Sequence, residues 1–174
     1  MSLAVSLMPR AVIAPIFLFV GFEIVHQAYR ESPPAHSPAV SLSMLPVVAS
    51  LVTILLGQFL AALNIPAHQL PQRLQQLYQT LNLLANGFIL TGLLWGSLLA
   101  FLIDHKAKLA ALCAAVCGVL TLFGVIHSVL PTGELYLPWQ APTGAHYSLA
   151  LAYGILSVIL LILTGRTDKE KPSL

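Results

Sequence analysis

The chain has 174 residues, of which 57% are hydrophobic and 8% charged, with a mean hydropathy of +0.86. A water-soluble domain of that composition would expose a large apolar surface and aggregate, which excludes the ordinary soluble class. Eight Lys and Arg against six acids leave a net charge of +2, too little for the basic patch that DNA or RNA binding requires, so no nucleic-acid partner is expected.

Five apolar stretches predict an all-α fold, a polytopic transmembrane helix bundle: residues 11–28, 39–63, 83–103, 107–130 and 147–164. Each comes close to the roughly 20 mostly apolar residues that span a hydrocarbon core as a helix. Helices are required because every N–H and C=O must be paired within its own segment in lipid, and these runs are too long and too little alternating for barrel strands. Residues 1–165 form the transmembrane region, and the charged residues 166–174 form a cytoplasmic tail. Cys113 and Cys117 stand four apart on one predicted span, a geometry unsuited to a structural disulfide, and read as small apolar fillers rather than metal thiolates.

Orientation follows from the fixed positive charges, which are retained on the cytoplasmic side of short loops. With the C-terminus inside, Arg30, Lys106, Lys108, Arg166, Lys169 and Lys171 are cytoplasmic, and only Arg10 and Arg73 lie outside. The segment 131–146 has no Lys or Arg but carries Glu134, Tyr136 and Trp139, as an external interface with an aromatic belt would. The expected location is the inner (plasma) membrane. On this topology the N-terminus is outside, and residues 1–10 lack the pattern of a cleaved leader, so the chain reads as the later part of a longer protein.

The first span begins with Pro9 and Pro15, tolerable where helix N–H groups lack partners anyway. Its second half places Glu23, His26 and Gln27 at i, i+3 and i+4, on one face. A carboxylate at membrane depth costs on the order of 3 kcal/mol on insertion scales. Two readings stand: an inward-facing polar or proton-relay site, or an interfacial group snorkelling to the headgroups beside Arg30.

Pro33, Pro34 and Pro38 stiffen the connection that follows, and Pro46 is placed to kink the second span. Pro66 and Pro71 then end that region, and residues 72–82 carry apolar positions three and four apart, the pattern of a short amphipathic helix lying along the outer surface. Gln79, Asn82 and Asn86 continue down one side, where amides bind either a polar ligand or, more often, a neighbouring helix. Gly92 and Gly96 form a GxxxG pattern in the third span, and Ala114 with Gly118 repeats the small-residue spacing in the fourth, so close helix contacts are expected there.

No Walker loop, GxSxG, HExxH or dinucleotide glycine pattern occurs, and nothing predicts an enzyme. Glu23 and His26 match the Glu-x-x-His spacing of di-iron bundles, but that site needs two such motifs and further carboxylates. His26 and His127 fall at opposite ends of their spans, which does not suit paired haem ligation. No metal or cofactor is therefore expected.

The stretch MPRAVIAPIFLFVGFEIVHQ, residues 8–27, resembles a segment that follows the transport core in xanthine/uracil permease-type transporters, the adenine/guanine/hypoxanthine branch of nucleobase:cation symporter 2. The resemblance rests on Pro9, Ala14, Pro15, Val20 and Gly21, and the block LNLLANGFILTGLLW, residues 81–95, is similar to a late region of bacterial relatives. It implies the C-terminal part of a permease built from inverted repeats, a gate domain supporting a separate core that holds nucleobase and coupling ion. The chain departs from that pattern in carrying Glu23 and His26 and in having two further spans. Its implied partners are the lipid bilayer and either an upstream permease core or further copies of itself. The other class consistent with the residues is a small helical membrane subunit that anchors or binds a redox cofactor such as haem or quinone.

Overall fold

The computed structural model describes residues 10–130, 132–141 and 144–169, with the side chains of 10–14 and 165–169 excepted. Six α-helices account for nearly all of it: α1 Arg10–Glu31, α2 Ser37–Ala62, α3 Gln72–Ala85, α4 Phe88–Ile103, α5 Ala107–Leu122 and α6 Ala145–Lys169. No strand occurs among the described residues. Two segments, Pro34–Ala62 and Ala145–Thr164, are long and apolar enough to cross a membrane, and the bent pair α3–α4 makes a third if it counts as one span.

The expected third and fourth spans are both cut short. α3 and α4 meet at a 75° bend, so the apolar segment starts at Phe88 rather than at residue 83. α5 stops at Leu122 rather than running to residue 130. At 1.5 Å per residue each 16-residue helix covers about 24 Å, short of a hydrocarbon core of about 30 Å. The chain does not become disordered at these places; it leaves the helical path by defined turns.

Three helices end in the same way. Asn64 (φ 54°), His105 (φ 57°) and Gly124 (φ 69°) take the left-handed conformation just past α2, α4 and α5. In each case the next residue's N–H bonds five positions back: Ile65 to Leu60, Lys106 to Phe101 and Val125 to Leu120, at 3.0, 2.8 and 3.0 Å. This Schellman closure satisfies carbonyls that the helix would otherwise leave unpaired.

α5 and α6 form the closest-packed pair, α4 lies between α5 and α2, and α3 caps α2 at one end. Small residues make this possible. Ala110, Ala111, Ala114 and Cys117 are fully or almost fully buried on α5, where Ser157 of α6 donates a 2.8 Å hydrogen bond to the Ala111 carbonyl. A Cβ on Gly118 would sit 3.3 Å from the Ala150 carbonyl oxygen of α6. Both cysteines are buried free thiols, and Cys113 donates to the Leu94 carbonyl of α4 at 3.3 Å.

Gly92 and Gly96 face α2. A Cβ at Gly92 would come within 2.5 Å of the Ser43 carbonyl oxygen, and one at Gly96 within 3.1 Å of Ser43 Cβ. Close backbone approach, rather than large interdigitating side chains, therefore sets the α2–α4 distance.

The outer surface is apolar. Phe17, Phe19 and Phe22 of α1, Leu51, Ile54 and Leu55 of α2, and Leu151, Ile155 and Ile162 of α6 are all exposed. α1 meets the rest of the protein chiefly beside the start of α2, where the Tyr29 and Ser41 hydroxyls hydrogen-bond at 2.8 Å. α3 has the expected amphipathic character, with Tyr78 turned toward Gly57 of α2 and Leu74 and Leu77 left exposed.

The α6 backbone is helical through Lys169, and residues 170–174 of the expected cytoplasmic tail lie outside the described residues, as do Met8 and Pro9. Of the expected aromatic belt, Trp139 is exposed but Tyr136 is buried. Its ring covers Gly124, where a Cβ would come within 2.5 Å of the ring, and meets the edge of the His146 ring at a centroid distance of 5.4 Å.

Candidate functional site

The two ends of the bundle differ in chemistry. At one end the α4–α5 connection brings Asp104 to 2.7 Å from the His36 ring and 3.0 Å from the Lys106 ammonium. Those hydrogen bonds, Lys106 first and His36 second, hold the Asp104 carboxyl below the usual carboxylate range. The cluster clamps the start of α2 to the end of α4, and being exposed it contributes little stability.

The opposite end is organised around Asn86. This residue leaves the helical region (φ −69°, ψ 120°), and Gly87 follows at φ 73°, which turns the chain into α4. The Asn86 side-chain amide donates both of its hydrogens across the bundle, to the Ser128 carbonyl at 2.8 Å and the Leu130 carbonyl at 3.0 Å. The Asn86 carbonyl in turn accepts the His127 N–H at 3.0 Å. One residue thus binds the stretch after α5 to the α3–α4 bend.

His127, itself left-handed at φ 54°, is 4% exposed. Its Nδ1 lies 3.0 Å from the Leu83 carbonyl and its Nε2 2.9 Å from the Tyr153 hydroxyl, which also accepts a 2.7 Å bond from Trp95 Nε1–H. The directions follow from donor capacity. A carbonyl can only accept, so Nδ1 carries the proton. Trp95 can only donate, so the Tyr153 proton is free to go to Nε2. The chain Trp95 → Tyr153 → His127 → Leu83 is therefore complete with a neutral imidazole, and no ring nitrogen of His127 is left for an axial ligand bond. It ties α4, α6, the segment after α5 and the end of α3 into one node.

Of the residues singled out by sequence, Asn86 belongs to this node. Asn82 sits one turn away, donating to the Tyr78 carbonyl at 3.0 Å, and borders a cavity of about 380 Å³ between α3 and residues 128–130. Gly92 and Gly96 lie at the α2–α4 contact, beside a more open groove of about 570 Å³ that includes Ser43, Met44 and Phe88. Glu23, His26 and Gln27 line neither the cavity nor the groove. Glu23 and His26 approach each other at 4.0 Å with side chains 62% and 66% exposed, and Gln27 is exposed beside them.

Trp95, His127 and Tyr153 were not among the sequence candidates for a site. Their signal was present: an indole, an imidazole and a phenol within apolar runs each carry a polar atom that must find a partner when buried. Among the described residues no group of three or more His, Cys, Asp or Glu is placed to hold a metal ion. Comparison with family models, with curated proteins and with solved structures gives no match to this chain.

Proposed function

We propose that the chain is a multi-pass protein of the inner (plasma) membrane with its C-terminus in the cytoplasm, a gate-domain-like relative of nucleobase permeases that contributes to transmembrane transport by supporting a separate substrate-binding body. Three features support the reading. The outward faces of α1, α2 and α6 are apolar. The packed contacts are built from small residues at close backbone approach, as helix pairs in lipid are. The Asp104–Lys106–His36 cluster lies at the end that the charge distribution assigns to the cytoplasm.

The observation that carries the supporting role is the condition of α1. Glu23 is about 10 Å along the helix axis from Arg30, and among the described residues its one ion-pair partner is His26, at 4.0 Å. A carboxylate facing acyl chains costs on the order of 3 kcal/mol on insertion scales. A polar surface laid against this face of α1 removes that cost, and in a transport assembly the surface is the moving core, where a Glu–His pair can hold or pass a proton.

The test is uptake of radiolabelled adenine, xanthine and uracil by cells carrying a permease core, with and without this chain. The reading expects uptake only with the chain present, and a Glu23→Gln variant with a changed pH dependence of uptake. Uptake that is the same with and without the chain contradicts the transport role. Unchanged pH dependence in Glu23→Gln reduces Glu23 to an interfacial anchor.

A further inference from the structure

The cavity between α3 and the segment after α5 has features that neither the packing nor the proposed transport role uses. It is partly open, with a volume of about 380 Å³, within the range typical of small-ligand pockets. Gln75, Gln79 and Asn82 line one wall, at i, i+4 and i+7 on a single face of α3. The Gln75 and Gln79 carboxamides make no hydrogen bond to any described residue, and Asn82 spends one N–H on the Tyr78 carbonyl while keeping Oδ1 and its second N–H. Leu83 and Val129 supply an apolar floor.

The charge of the lining decides the ligand class. Among the described residues the cavity has no Asp, Glu, Lys or Arg, and His68 is its only histidine. A phosphate would lack the cation it selects for, and a cationic ligand would lack a carboxylate. Carboxamides pair a donor and an acceptor on one rigid group, which suits neighbouring hydroxyls. The three amides are spread over about 10 Å of helix axis, so they match donors and acceptors distributed around a ring better than the single polar edge of a flat heterocycle. We propose that this cavity is a binding site for an uncharged, hydroxyl-rich group of the sugar type, supplied either as the headgroup of a glycolipid or as a free sugar.

The experiment uses the whole chain in nanodiscs of phosphatidylcholine containing glucosyl-diacylglycerol and phosphatidylglycerol, with bound lipid identified by native mass spectrometry. A parallel titration with methyl β-glucoside is followed by calorimetry. The glucosyl-lipid, the methyl glucoside or both should bind selectively. The double variant Gln75→Ala/Gln79→Ala should weaken that binding roughly tenfold or more, through the loss of two or more hydrogen bonds. Ala145→Leu, which adds bulk to the cavity from α6 and leaves the three amide residues in place, should do the same, and Gln76→Ala, on the exposed side of α3, should bind as wild type. Lipid retention without methyl glucoside binding identifies a headgroup site; calorimetric binding of methyl glucoside with the same variant pattern identifies a free-sugar site. Absence of selective binding in both arms overturns the proposal, as does preferential retention of phosphatidylglycerol or binding that all three variants leave alike. These results do not depend on nucleobase uptake, so the proposal and the transport reading fail separately.

Discussion

Gly87→Ala is expected to destabilise the fold by about 2–5 kcal/mol. Two costs add at this position. At φ 73° an L residue loses on the order of 1–2 kcal/mol relative to glycine. The new Cβ would also lie 2.4 Å from the Val125 carbonyl oxygen and 2.9 Å from the Ile126 Cα. Both are backbone atoms, so no rotamer change relieves the clash, and overpacking of this kind costs about 1–3 kcal/mol more. Ile126 is fully buried and adjoins His127, so displacing it disturbs the whole node. Chemical unfolding in mixed micelles, followed by tryptophan fluorescence, measures the effect. A midpoint indistinguishable from wild type contradicts the account of the bend.

Tyr153→Phe should cost about 2–6 kcal/mol while leaving the packing volume nearly unchanged. The phenylalanine ring fills the same space, but the hydroxyl that accepts from Trp95 and donates to His127 is gone. Two buried polar atoms are then orphaned, at about 1–3 kcal/mol each. A double-mutant cycle with Trp95→Phe separates this mechanism from a general loss of packing. If the node is a single hydrogen-bonded chain, the second substitution costs at least about 1 kcal/mol less once the first is made. Strictly additive effects would mean that the Trp95–Tyr153 bond contributes nothing of its own.

The parts of the fold that could be read from the sequence are those governed by one-dimensional patterns. Sustained hydropathy marks α2 and α6, and three-and-four spacing of Leu74, Leu77, Tyr78 and Leu81 marks α3. Glycine spacing marks Gly92 and Gly96, which lie where α4 backs onto α2. The bend at Asn86–Gly87 was hidden because Leu83, Leu84, Phe88 and Ile89 keep the hydropathy high on both sides. An Asn-Gly pair is nonetheless a strong turn signal, and weighing it above hydropathy would have placed the break. The same masking joined residues 123–130 to the preceding span, although Gly124 is well suited to end a helix.

What no local pattern reports is the long-range chemistry. Asn86 reaches partners more than 40 positions away, at Ser128 and Leu130, and Trp95 meets Tyr153 across 58 positions. From sequence, Asn86 is an amide that faces either a ligand or a neighbouring helix. In the fold it satisfies the Ser128 and Leu130 carbonyls of the irregular segment after α5.

The account rests on lipid surrounding the outward faces of α1, α2 and α6. Nitroxide labels placed singly at Phe19, Leu51 and Ile159, which are 70%, 56% and 47% exposed, test this in liposomes by collision with molecular oxygen and with a water-soluble nickel chelate. Lipid contact predicts high oxygen accessibility and strong exclusion of nickel at all three sites, with the reverse at a label on exposed Gln76 of α3. Nickel collisions at Phe19, Leu51 and Ile159 as frequent as those at Gln76 would mean that water covers these faces, and the membrane reading would be wrong.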